Sequence, residues 1–529
     1  MKKLFFLPAL AAMMFSSCSS DEPTVDNPAD QGGESYMAVT IRTAGMGGSK
    51  AAPTDDQFEA PENDAESKLE AENVRFYFFT ADGRPFTLLS EKVNGTVEKT
   101  NMVKPQAIKY TNNAFGNEEV AEGVLVLGKP DVPYVGLTPA KVVCVANPKN
   151  VLNFENFANK TLAQLKNIEA IRPTNMNTFA MISSTYADGN TETYWADCSD
   201  KAMKTMNEAQ KNPVHIYIER LAAKVRVDGL GTSVVQKKDG ETITDETFTI
   251  TTAMTATGVA TKIESKLDVQ LVGWQLYQKP STCNAIKDIA SVIGNDPFAD
   301  WNDALRHRSY WSVTGTPERY QTTYDIHDAS QFILGNKGNA TNNKDYIYEN
   351  TSIQATDAGA ALTVTERSTT APAIVVKGII KLNGQTTGYD FCRWGDQLFT
   401  STALKQMIFN AYKQGHPATE LTVADVNIKG KEGSKSNTWK AMVGNEETNF
   451  DNISYWENGE TSYWLNIQHF GGKFGVVRNH IYDYTVDKVV GLGVPGNDPK
   501  NPDPETKTYL AARLYVLNWR VVSNTVTLE

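Results

Sequence analysis

A mainly β fold, organised as two β-rich domains with sparse helices, is what this sequence predicts. Three observations carry the prediction. Apolar residues alternate with polar ones at period two in run after run, only two stretches show helical spacing, and Gly, Pro, Asn and Asp punctuate the chain between them. At 529 residues, with 40% hydrophobic and 10% aromatic content, the chain is long enough to bury the cores of two or more such domains.

In chain order, Lys2 and Lys3 precede an apolar run from Leu4 to Phe15, and Ser16-Ser17-Cys18 follows. That is the layout of a secretory signal, too short to span a membrane. Small residues before Cys18 and Ser19-Ser20-Asp21 after it resemble a lipobox of the kind common in Bacteroidetes lipoproteins, with Phe15 where Leu is more usual. Cys18 is then the lipidated first residue of the exported chain. The plainer alternative is cleavage nearby with Cys18 unmodified.

Residues 19–34 are polar and rich in Asp, Pro and Gly, the composition of a flexible tether. A strand is expected over Tyr36 to Arg42, with Met37, Val39 and Ile41 on one face. Gly45, Gly47, Gly48 and the basic Lys50 follow it, so the strand is placed to be cut away, or is simply an edge strand and its loop. Further strands are read at Val74 to Phe79, Val124 to Leu127 and Lys141 to Ala146, with a turn at Ala81 to Pro85. A helix is expected between Lys160 and Ile171, where Leu162, Leu165, Ile168 and Ile171 recur at near-helical spacing. His215 to Val227 reads as one long strand region with a domain junction near its end.

The second half is again mostly β, with polar loops such as Gly335 to Asp345. A second helix is expected from about Thr402 to Tyr412, because Leu404, Met407, Ile408 and Ala411 form an apolar stripe behind the caps Thr400 and Ser401. Two alternating runs close the sequence. Leu510, Ala512, Leu514 and Val516 mark the first, and Val522, Val526 and Leu528 the second, which ends at Glu529 and is read as a strand free to complete another molecule's sheet. An ordinary last strand of a β-domain is the alternative.

Composition narrows the function. A net charge of -11 and a pI near 5.3 leave no basic stripe to neutralise phosphates, so nucleic acid is not an expected partner. Apart from Cys18, Cys144, Cys198, Cys283 and Cys392 are widely spaced and allow two disulfides or none; Cys144 lies in an apolar run that suits a buried thiol. The six histidines show no metal-ligand spacing, and no cofactor or metal is expected. His480 is read as a structural hydrogen-bonding group. Gly491-Leu492-Gly493-Val494-Pro495-Gly496 has the glycines of a dinucleotide fingerprint, but Pro495 and Pro499 forbid the helix that motif requires, so it is a loop. No nucleophile elbow or paired catalytic carboxylates stand out, and an enzyme is not expected.

The order of these elements carries a resemblance. Asn73 to Phe79, Val143 to Asn147, Thr161 to Lys166, Ile218 to Val225, Arg478-Asn479-His480-Ile481-Tyr482, Gly491 to Gly493 and Val516 to Val522, together with Cys18 and the strand at 36–43, resemble the Bacteroidetes type V pilins, and among them the Mfa1-like major fimbrial shaft subunits. The resemblance implies two β-sandwich-like, transthyretin-like domains completed by donor-strand exchange. It implies a signal peptide over 1–17, a lipidated propeptide with the removable strand over 18–50, an N-terminal β-domain over 51–227, a C-terminal β-domain over 228–508 and C-terminal strands over 509–529. A maturation protease would cut between Lys50 and Ala51, with Arg42-Thr43 as second choice; the family's better-known members are cut after Arg. The donor strand would present Val522, Val526 and Leu528, with Val521 assisting across a bulge. The expected partners are further copies of the chain, anchor and tip pilins, the protease and the outer membrane through the lipid. The precursor is placed at the outer membrane and the mature form in an extracellular fimbria serving adhesion and biofilm formation. A surface glycan-binding lipoprotein and an accessory pilin are the competing readings.

Overall fold

Two large sheets organise the chain, and each is built from the runs whose alternation marks them as strands. The computed structural model describes residues 35–43, 69–91, 96–112, 119–148, 151–172, 179–188, 191–239, 242–245, 247–289, 312, 332–334, 343–350, 372–428, 439–469, 475–495, 509–515 and 524–526.

The first sheet contains β1 (Ser35–Thr43), β2 (Val74–Phe79), β3 (Met102–Val103), β4 (Ile108–Asn112), β5 (Glu119–Leu127), β6 (Lys141–Ala146), β7 (Met181–Ser183) and β8 (Val214–Arg220). Their spatial order is β3-β2-β6-β7-β8-β1-β5-β4. Met37, Val39, Val74, Phe76, Phe78, Leu125, Val142, Cys144, Ile216 and Ile218 share one core on this sheet. Tyr77, Phe79, Val143 and Val145 point to a second core on the opposite face, joined by Phe157, Leu162, Leu165 and Ile286. Because β2 and β6 are covered on both faces, they read as nearly continuous apolar runs.

The second sheet contains β9 (Ala222–Asp228), β10 (Thr232–Asp239), β11 (Leu267–Tyr277), β12 (Lys344–Tyr348), β13 (Ala373–Leu382), β14 (Glu460–Asn466), β15 (Ile481–Val490), β16 (Val494–Pro495), β17 (Tyr509–Tyr515) and β18 (Asn524–Val526). Along its main path the order is β12-β9-β15-β10-β11-β13-β14-β16, and β17 pairs with β15 and β18. One edge of β15 takes β9 over its first half and β10 over its second, both parallel, while the other edge takes β17 antiparallel. The crossing from β9 to β10 needs Gly229, whose φ is +77° and whose missing Cβ would lie 2.3 Å from the Val486 carbonyl oxygen. A smaller five-stranded sheet, formed by Phe248–Met254, Ala260–Ser265, Phe391–Trp394, Gln397–Thr400 and Ser454–Trp456, lies beside it.

Helices are few. Leu162–Leu165 forms α1, Met206–Lys211 forms α2 and Ser401–Gly415 forms α3. The helix expected over 160–171 is shorter than its spacing suggests, a correction with a local cause. Thr161 and Gln164 close a capping box, the turn ends at Lys166, and Glu169–Ile171 pairs as a strand with Thr282–Asn284. Burial of Ala170 against Cys283 in that pairing outweighs a further helical turn, and Ile171 is left exposed. The second helix begins as expected, with the Thr400 hydroxyl accepting from Ala403 N–H at 3.2 Å. Ala403, Leu404 and Ile408 form its buried stripe; Ala411 faces outward, another correction.

The run from His215 to Val227 is two strands rather than one. The chain leaves the first sheet after Arg220 and enters the second at Ala222, so sheet membership changes at Leu221, ahead of the junction expected near Val227. The four cysteines Cys144, Cys198, Cys283 and Cys392 are buried free thiols. No helix among the described residues is long and apolar enough to cross a membrane.

Candidate functional site: the strand slot and the closing strands

β1 is the structural centre of the site. Its sequence neighbours in space come from far along the chain: Val39 to Thr43 pair in parallel with Val214 to Ile218 of β8, and Ser35 to Arg42 pair antiparallel with Leu127 to Val120 of β5. Both edges of β1 are therefore occupied, and withdrawing it would leave two unpaired strand edges facing a slot one strand wide. Met37 and Val39 are 0% and 1% exposed, as the alternation suggested, and Gly123 opposite Val39 gives its methyl groups room. Ala38 and Thr40 are buried as well, so these four residues are covered on both faces. Small residues suit that second face, and α2 lies against β1. Ile41, Arg42 and Thr43 continue the ladder on the backbone.

The closing strands contrast with β1. β17 pairs with β15 across a bulge between Val486 and Lys488, and β18 pairs with β17 through Asn524, Thr525 and Val526 only. Among the described residues β18 has one partner strand where β1 has two. Of the residues read as donor, Val526 lies in β18; Val521, Val522 and Leu528 lie outside the described residues, as do Cys18, Lys50 and Ala51.

Between the slot and the closing strands sits a buried ionic cluster that sequence reading had only touched through Arg478 and His480. Glu219 ends β8, Glu349 follows β12, Arg478 precedes β15, and Lys287 follows the strand Thr282–Asn284. Lys287 Nζ lies 3.5 Å from Glu219 and 3.7 Å from Glu349, and Arg478 Nε donates to Glu349 Oε2 at 3.0 Å; all four side chains are within 1% of complete burial. The Arg478 guanidinium also donates to the carbonyls of Ala285 at 2.9 Å and Asn284 at 2.7 Å. Burial pushes the Glu219 carboxyl up. Burial acts on Glu349 the same way, but Arg478 and Lys287 outweigh it and hold that carboxyl below its ordinary value. Next to the cluster, Asn479 adopts φ +60° and accepts from Arg220 Nη1 at 3.2 Å, and His480 Nδ1 lies 2.7 Å from the Arg478 carbonyl oxygen, the structural role expected of it. The backbone crosses here too, Asn479 N–H to Ala222 at 2.8 Å and Lys224 N–H to His480 at 2.9 Å. One patch of buried charge thus ties the end of a slot-lining strand to the strand that carries the closing pair. No signal at the level of spacing could have gathered residues 219, 287, 349 and 478.

Among the described residues no three His, Cys, Asp or Glu side chains are grouped to hold a metal. Gly491 and Gly493, with φ of +77° and +70°, turn the chain from β15 into β16, which pairs with β14 and makes the glycine-rich stretch a structural turn.

Residues 454–525 match the family model described as major fimbrial subunit protein type IV, fimbrillin, C-terminal. Its C-terminal region is fimbrillin-like. The match spans β14 to β17 and reaches into β18, so it covers the half of the second sheet that bears the closing strands. A search of the curated proteins returned no match. Three solved structures are similar over most of the chain. A candidate cell adhesion protein from Parabacteroides distasonis shares 12% identity, with 92% of this chain and 97% of the other covered at a TM-score of 0.37. A fimbrial assembly protein from the same organism shares 11%, with 93% and 100% covered at 0.28. The tip fimbrial protein Mfa3 from Porphyromonas gingivalis, truncated at its C-terminus, shares 10%, with 92% and 100% covered at 0.27. The family match is confined to residues 454–525, and it makes that region similar to the C-terminal part of major fimbrial subunits.

Proposed function

We propose that this chain is a shaft subunit exported as a lipoprotein on Cys18, cut between Lys50 and Ala51, and polymerised when the closing strand of one copy enters the slot that β1 vacates in another. The observation that carries the reading is the placement of β1, a removable strand by its flanking glycines and Lys50, between β8 and β5 with partners on both edges. A nine-residue strand spans about 30 Å at roughly 3.3 Å per residue, and the run 519–529 is long enough to replace it. Exchange gives the closing strand two paired edges in place of the one that β18 has, and a ladder hydrogen bond contributes on the order of 1 kcal/mol. Each apolar side chain buried in the slot adds roughly 1.5–3 kcal/mol. Val522, Val526 and Leu528, with Val521, are the row that would take the places of Met37, Val39 and Ile41.

The test is deletion of residues 519–529. The truncated precursor is expected to fold, melt like the full chain and be cut, yet to form no filaments by electron microscopy. Full-length filaments from it would sink the donor assignment, and misfolding would mark the run as an ordinary core strand.

A further inference from the structure

The slot has two ends, and they differ. At the inner end Ala146, Met181 and Arg220 lie in register, and the chain continues through Leu221 into its own second sheet, with the buried cluster of Glu219, Lys287, Glu349 and Arg478 alongside. At the outer end β1 begins. Backbone hydrogen bonds there join Tyr36 to Met203 at 2.7 Å, Cys198 to Ala140 at 2.9 Å and Ala140 to Phe79 at 2.9 Å, which places the loop before Ala140 at the same pole.

That loop, residues 132–137, is held in shape from below. Asp131 N–H donates to the Thr87 carbonyl at 3.0 Å, the Asp131 carboxylate accepts from Val132 N–H at 2.8 Å, and the Tyr134 ring packs on Phe86 at 4.8 Å. Above this anchor Val132, Val135 and Leu137 are 80%, 61% and 56% exposed. No other six-residue window among the described residues exposes three large aliphatic side chains, and Met206, on α2 next to Met203, adds a fourth at this pole. An anchored loop that holds three aliphatic side chains in water is a candidate contact surface.

We propose that this outer-pole loop is the shoulder against which a second copy of the chain, the one whose strand fills the slot, rests its C-terminal half. The inference rests on the strand-exchange reading above. The inner end is taken by the chain's own second sheet, so the body attached to an incoming strand stands at the outer end. Only residues 516–523 separate β17 from β18, which keeps the donor's body close to the strand it supplies.

The experiment compares the full precursor, cut by protease, with a Val135→Asp, Leu137→Asp double variant. Two probes separate slot from shoulder: binding of a synthetic peptide of residues 516–529, and polymerisation followed by electron microscopy. Both substitutions are at exposed positions, and the variant is expected to melt as the unaltered chain does and to bind the peptide equally well. It should polymerise at least about tenfold more slowly, since loss of buried aliphatic contact is worth that order. Polymerisation at the unaltered rate overturns the assignment. Loss of peptide binding together with polymer also overturns it, because the loop would then act through the slot. If the unaltered cut chain neither binds the peptide nor polymerises, the strand-exchange reading fails and takes this inference with it.

Discussion

Arg478 is the residue on which the two halves of the molecule converge. It neutralises Glu349, reaches two carbonyls beyond Cys283 and is followed by Asn479, which receives Arg220. Removing one member of a buried pair leaves the other charged and unsolvated, at about 3–5 kcal/mol. Arg478→Met is expected to lower the unfolding free energy read from urea melts of the monomer by that amount, whereas an exposed pair such as Lys440 with Glu447 should contribute little when broken. The two glutamates of the cluster give opposite pH signs. Glu349, held low, stabilises the fold above the ordinary glutamate value and loses that contribution as pH falls through its depressed folded value. Glu219, pushed up, binds a proton more tightly when folded, so its effect is a loss of stability as pH rises from the ordinary value toward its raised one. Glu349→Gln should therefore flatten the acid limb of stability against pH, and Glu219→Gln should remove a decline on the side above it. Urea melts across pH for each variant check both signs.

At the scale of the element, β1 was the most legible part of the site. Alternation of Met37, Val39 and Ile41 and the glycines after them predicted a strand with one apolar face, and Met37 and Val39 are buried. Its central position and its burial at Ala38 and Thr40 were not legible, because the partners Val214 to Ile218 and Val120 to Leu127 lie far along the chain and nothing local encodes which edges meet. Helical spacing misled over 160–171 for a similar reason: a strand pairing with Thr282–Asn284 decided where the helix stops. Val39→Asp places an unpaired charge in the middle of the sheet, a cost of several kcal/mol. The uncut precursor is expected to melt lower by about 2–4 °C for each kcal/mol lost in a domain of this size. The same substitution should have no effect on protein from which β1 has been removed, and calorimetry of cut and uncut forms measures the difference. Equal losses in both forms would show that residues 35–43 stay with the mature chain.

At the scale of the whole molecule, the proposed scheme makes export and maturation the events that set the slot free. Lys50→Ala is expected to leave an uncut monomer that melts normally and forms no filaments, read by N-terminal sequencing and electron microscopy. Assembled protein whose N-terminus lies upstream of Tyr36 would contradict the scheme. Cys18→Ala should release the precursor from the membrane fraction, measured by fractionation and immunoblot.

Sequence alone determined the β class, the two alternating runs at the close, the strand that follows the polar tether and the absence of any readable catalytic motif, because these follow from periodicity and from residue chemistry within a few positions. The tertiary structure decided which strands flank β1, that sheet membership changes at Leu221, that Glu219, Lys287, Glu349 and Arg478 form one buried cluster, and that Val132, Val135 and Leu137 stand exposed at the pole where β1 begins. The physical reason is range: an alternating pattern records that a face is buried, but the choice of neighbour depends on how the whole chain packs around it.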